Sequence, residues 1–128
     1  MREFQRGESY TRAEIHAAVG GGLQDYLPHR DGRVVAACLS PELNPEAPRV
    51  VLPGRGPEIQ RWAEVFAKQR EPVPTFLKRG SNDWEYVGDY RVRRLETGRS
   101  EINAQRYATG RDDVSMVLHL EMAGEALG

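Results

Sequence analysis

Residues 76–92, FLKRGSNDWEYVGDYRV, place aromatic side chains at the spacing of an extended strand. Side chains alternate across a strand, so Trp84, Tyr86, Tyr90 and Val92 share one face, which Gly88 interrupts. Glu85, Val87, Asp89, Arg91 and Arg93 take the other face. Upstream, residues 73–78 form an apolar strand, and RGSND at 79–83 is rich in turn formers. Residues 73–94 are therefore expected to form a β-hairpin. Its aromatic face is either sheet core or the wall of a pocket for a flat ring. A bulge at Gly88 would turn Asp89 toward that face, whereas a regular strand would leave the face as core.

The flanking sequence supplies both helices and strands. Thr11 and Glu14 have capping-box spacing, with Tyr10 and Ile15 placed as a hydrophobic staple, so a short helix begins there and stops at Gly20-Gly21-Gly22. Three glycines exceed what one helix end needs. They are either a flexible turn or a backbone shaped for close approach to a bulky partner. Residues 34–39 read as a buried strand after the Asp31-Gly32 turn signal, and residues 49–52 as a second, short strand. Pro57 suits a first helical position, and Ile59, Trp62, Ala63 and Phe66 make the buried stripe of a helix packed on a sheet. Ser100 is placed to cap a weak helix over 101–108 that Gly110 closes. Residues 115–122 alternate as a last strand, with Met116, Leu118, Leu120 and Met122 on one side. The tail, AGEALG at 123–128, is expected to be loose. This pattern predicts one α+β domain over 1–128, its core at about 10–122, built around a small curved sheet or barrel.

Composition narrows the function classes. A chain of 128 residues with 39% hydrophobic residues can bury a core without disulfides, and Cys38 is the only cysteine. No apolar run reaches the ~20 residues of a membrane span, and the N-terminus lacks a signal peptide's apolar core, so a cytoplasmic location is expected. A formal net charge of −1 argues against coating nucleic acid by bulk charge. The cationic residues are almost all arginine, concentrated between Lys78 and Arg111, which suits bidentate contacts as well as a solvated surface. His16, His29, His119 and Cys38 have no metal-ligand spacing, and no nucleophile motif or phosphate loop is present. No catalytic residue, metal or cofactor is expected. Asp83, Glu85 and Asp89 remain the carboxylates with which an enzyme would have to work.

YTRAEIH at 10–16, GGG-Q at 20–24, YLPHRDGRVVAACL at 26–39, NPEAP at 44–48, PVPTFLKRG at 72–80, WEYVGDYRV at 84–92 and VLHLE at 117–121 together resemble the SRA-like domain of McrA-type modification-dependent restriction enzymes. The resemblance implies a PUA-like, partly open β-barrel. It further implies binding of double-stranded DNA that carries a modified base, most often 5-methylcytosine, flipped into a pocket. Those enzymes carry an HNH nuclease module after this domain, and the chain stops shortly after the last strand. Cleavage would then fall to a separately encoded nuclease or other effector. For such a reader Trp84, Tyr86 and Tyr90 are the candidates to stack on the base, with sheet core as the other reading of each; Tyr26 would close the other side, and Asp89 or Asp83 would accept from the base's exocyclic amine. Arg12, Gly20, Gly21, Gly22, Lys78, Arg79, Asn82 and Arg91 are the corresponding candidates for the DNA backbone or groove. An RNA-binding PUA-like module, a nucleobase-acting enzyme and a protein-interaction domain are the alternatives.

Overall fold

The computed structural model describes residues 3–124; the expected loose tail falls partly outside them, at 125–128. The hairpin forms as expected and is longer than its pattern: β6 (Val73–Gly80) and β7 (Asp83–Glu96) are joined by Ser81 and Asn82 alone. Asn82 adopts φ 50°, a left-handed conformation that asparagine tolerates. Around this hairpin lies a six-stranded mixed sheet that is not closed into a barrel. Its order is β4 (Ala37–Leu39), β6, β7, β8 (Val117–Met122) and β5 (Val50–Val51), while β1 (Ser9–Tyr10) pairs with the start of β7. The β4–β6 pair is parallel and the others antiparallel. A two-stranded ribbon, β2 (His29–Arg30) and β3 (Arg33–Val34), turns at Asp31-Gly32, both with positive φ. The run at 34–39 is thus split between two sheets rather than forming one strand.

Three helices flank the sheet. The first, α1 (Arg12–Val19), carries the full capping box: Thr11 accepts from the Glu14 amide and Glu14 from the Thr11 amide. Tyr10 and Ile15 meet in one cluster, as a staple should. The second, α2 (Pro57–Lys68), starts on Pro57 and buries Trp62, Ala63 and Phe66, but leaves Ile59 at the surface, 38% exposed. The third, α3 (Arg99–Thr109), begins earlier than predicted, with Gly98 rather than Ser100 at its N-cap. It buries no residue fully and packs Ile102 against Val50, Leu52, Val114 and Val117.

The two faces of the sheet carry separate cores. The α2 side gathers Ala37, Leu39, Val73, Leu77, Leu118 and Leu120 with Trp62 and Phe66. The α1 side gathers Ala36, Cys38, Phe76, Trp84 and Tyr86 with Ile15. The expected single aromatic face does not exist. Thr75 pairs with Gly88 and Phe76 with Tyr86, so Val87 is an extra residue and β7 bulges there. One inserted residue reverses the alternation. Trp84 and Tyr86 therefore enter the α1-side core, whereas Tyr90 and Val92 enter the α2-side core. Gly88 sits in the bulge at φ 129°, and a Cβ there would lie 2.9 Å from Met122 Sδ and 3.4 Å from the Tyr90 ring.

Candidate functional site

The loop after α1, the loop after β4 and the tip of the hairpin enclose a cleft of about 670 Å³. That volume lies within the range of small-molecule sites. Its floor is Trp84 and Cys38, both buried. One wall is Leu23–Tyr26, continued by Ile59 from the first turn of α2. A second wall comes from Ser40, Leu43, Asn44 and Leu52–Gly54, backed by Arg111 and Asp113. Lys78 and Asn82 close the hairpin side. Of four large apolar side chains exposed among the described residues, Leu23, Leu43 and Ile59 border this cleft. The clustering marks the cleft as the place where the surface departs from a solvated one.

Both walls are held from behind by arginines. Arg12, 9% exposed, donates from Nη2 to the carbonyls of Gly22 (3.1 Å) and Asp25 (2.9 Å). Its backbone amide donates to Asn82 Oδ1 at 2.9 Å, tying the hairpin tip to the start of α1. Its guanidinium lies 5.2 Å from the Trp84 ring centre, and the Lys78 ammonium 5.9 Å, so two cations lie close to the indole. On the second wall Arg111 donates from Nη1 to Leu43 O (2.9 Å) and Leu52 O (3.0 Å), while Nε and Nη2 grip Asp113. Asn44, also buried, accepts from the Leu52 amide and donates to Ser40 O. Tyr26 donates its hydroxyl to Ile59 O at 2.7 Å, and burial pushes its pKa well up, keeping it a neutral donor.

These environments define the chemistry. Burial pushes the Cys38 thiol up to about 12, against the opposing pull of Arg12, so the cleft offers no thiolate at neutral pH. The hydrogen bond from Arg111 holds the Asp113 carboxyl below its usual value, making it an ionised structural partner rather than a proton donor. Among the described residues no group of three or more His, Cys, Asp or Glu side chains could hold a metal ion. None of their helices is long and apolar enough to cross a membrane. What remains is a recess with aromatic, apolar and hydrogen-bonding surfaces, suited to holding a flat ring by contact.

The structure divides the expected site residues. Tyr26, Trp84, Arg12, Lys78 and Asn82 converge on the cleft. Tyr86 and Tyr90 do not line one pocket from a shared face, because the bulge sends them to opposite sides of the sheet. Tyr86 packs against Phe4 and Phe76 with ring centres 5.5 Å away in each case, and Tyr90 lies beneath the Arg49 guanidinium. The bulge does turn Asp89 to the Tyr86 side, where it accepts the tyrosine hydroxyl at 2.6 Å. Neither residue lines the cleft.

Among the backbone candidates, Arg79 pairs with Glu85 (2.7 Å) and Arg91 with Glu121 (2.9 Å). The glycine triplet serves an internal contact: a Cβ at Gly21 would lie 2.7 Å from Pro28 Cβ, and His16 Nδ1 lies 2.6 Å from its carbonyl. Leu23, Leu43, Asn44, Ile59 and Arg111 were not foreseen. Their side chains matter through long-range placement, for which local spacing carries no signal.

The fold can now be compared with known proteins. A crystal structure of the SUVH5 SRA domain in complex with hemimethylated CG DNA matches with a TM-score of 0.51 and 16% identity, over 96% of this chain and 86% of that one. At that identity the likeness establishes an SRA-like fold. No curated protein matches the sequence. A family model covers residues 9–116, from β1 through the segment leading into β8, and the chain belongs to that family, described as a domain of unknown function (DUF6697).

Proposed function

We propose that this domain recognises modified DNA, holding the modified base out of the duplex in the cleft floored by Trp84, without cutting the DNA itself. The observation that carries the reading is the cleft's composition within an SRA-like fold. A buried indole and Tyr26 offer ring surfaces, three otherwise exposed apolar side chains border the mouth, and Lys78 and Arg12 supply positive charge beside the rings. Extruding a base costs a few kcal/mol, and stacking on aromatic side chains returns roughly 1–3 kcal/mol per base. A base with an added apolar group, such as 5-methylcytosine, gains further from the leucine-lined rim. Asp25 and Gln24 stand on the wall beside Tyr26, where an acceptor for an exocyclic amine is required. Effector activity, in this reading, lies outside this domain. The resemblance of the sequence to McrA-type SRA-like domains supports the same assignment.

The test is a binding panel of short duplexes that differ only in one modified cytosine or adenine, measured at two salt concentrations. The expected result is tighter binding to one modified duplex than to its unmodified twin, with affinity falling as salt rises. Equal affinity for all members, or no binding, would refute the proposal.

A further inference from the structure

The charges lining the cleft are unevenly matched. Arg12, Lys78 and Arg111 stand against Asp25 and Asp113, a net of +1 in a chain whose formal net charge is −1. Arg111 and Asp113 hold each other through two hydrogen bonds. Arg12 is buried and committed to the carbonyls of Gly22 and Asp25. Lys78 is different. It is exposed, and the register of the hairpin sets it directly opposite Trp84, so both side chains leave the same face. Its ammonium lies 5.9 Å from the indole centre. Its neighbour Arg79 pairs with Glu85, but among the described residues no carboxylate pairs with Lys78. The cleft thus holds one uncommitted cation, beside the ring on which a flat ligand would stack.

We propose that the cleft selects a base whose added group carries negative charge, with a carboxyl at C5 of cytosine as the simplest case, and that Lys78 reads that charge. The inference rests on the modified-DNA reading above and names the class of modification. A methyl group would meet only the apolar rim. A carboxylate would accept a charge-assisted hydrogen bond from Lys78, roughly twice as strong as one between neutral groups. An unmodified base offers no such group, so the contact that adds affinity also discriminates against ordinary DNA. A DNA phosphate presents the same anionic oxygen. The placement of Lys78 favours the base, because it lines the cleft and stands opposite the stacking ring.

Duplexes identical but for cytosine, 5-methylcytosine, 5-hydroxymethylcytosine or 5-carboxylcytosine at one position separate the two sources. Wild-type protein is expected to bind the carboxyl duplex about tenfold more tightly than the methyl duplex, with the polar but neutral hydroxymethyl duplex close to the methyl one. In Lys78→Gln that ratio should fall to within about twofold of unity, and Lys78→Arg, which restores the charge, should recover most of it. A ratio that survives Lys78→Gln would overturn the inference. If all the affinities fall together and the salt dependence becomes shallower by about one ion, Lys78 is a phosphate contact instead. Wild-type protein that prefers the methyl or hydroxymethyl duplex would also overturn it, while the modified-DNA reading stands. Equal or absent binding across every modified duplex would overturn that reading, and this inference with it.

Discussion

Replacing Gly88 by alanine tests the feature that divides the two cores. At φ 129° the backbone occupies a region that only glycine visits freely, and forcing another residue into such a region costs ~1–3 kcal/mol. The new Cβ would also lie 2.9 Å from Met122 Sδ and 3.4 Å from Tyr90 Cε1. The thioether is flexible and can shift, so the steric part falls near the low end of overpacking costs, ~1 kcal/mol. Together the substitution should destabilise the domain by about 3 kcal/mol, a large share of the ~5–15 kcal/mol that holds a typical domain folded. Urea unfolding followed by tryptophan fluorescence measures this, and the melting temperature should drop by roughly 10 °C. The two parts can be separated, because Met122→Ala removes the clash and leaves the backbone strain. The double variant should therefore be about 1 kcal/mol less destabilised than the sum of the singles. A loss below ~0.5 kcal/mol for Gly88→Ala would refute the bulged geometry. A full loss with no coupling to Met122 would refute the steric part.

Three other predictions follow from the placement of residues around the sheet. Tyr86→Phe keeps the ring packed and removes the hydroxyl bond to Asp89, so it should cost ~1 kcal/mol of stability and leave modified-duplex affinity unchanged. Trp84→Leu should weaken that affinity by ~1–3 kcal/mol when both are titrated as folded protein, and the opposite ranking would move the pocket to the Tyr86 side. The Cys38 thiol should resist iodoacetamide at pH 8 in the native protein and react once urea unfolds it. Its pKa rises from 9.0 to about 12 on folding, so its contribution to stability is complete below pH 9 and is lost as pH rises toward 12. Wild type should therefore lose more stability than Cys38→Ala between pH 8 and 10, and rapid native labelling would contradict the buried placement.

The cleft takes its chemical character from aromatic and apolar side chains and from arginines that hold its walls. Its carboxylate with a shifted titration, Asp113, is held by Arg111, and its cysteine is kept protonated by burial. Positive charge enters locally, through Arg12 and Lys78 beside Trp84, in a chain whose formal net charge is −1. Such an arrangement favours a ligand recognised at one point over a polyanion gripped along its length, since affinity from bulk charge needs many phosphate contacts.

The elements set by neighbours in sequence were legible from the sequence alone. The capping box of Thr11 and Glu14, the Pro57 start of α2, the Asp31-Gly32 turn, the hairpin at 73–94 and the alternation of β8 depend on contacts within a few residues. The α+β class followed from their order. Tertiary structure decided what local periodicity cannot carry. One extra residue at Val87 reversed the facing of Tyr90 relative to Tyr86, and no count of alternating residues reveals where a partner strand skips a position. The parallel pairing of β4 with β6 and the addition of β1 to β7 join segments distant in sequence. The sequence offered Arg12 only as a candidate for the DNA backbone or groove. The fold buried it because two loop carbonyls and the Trp84 ring needed one donor among them. The aromatic stretch at 76–92 thus supplied the floor of the cleft through Trp84, while its walls came from loops that only long-range packing brings together.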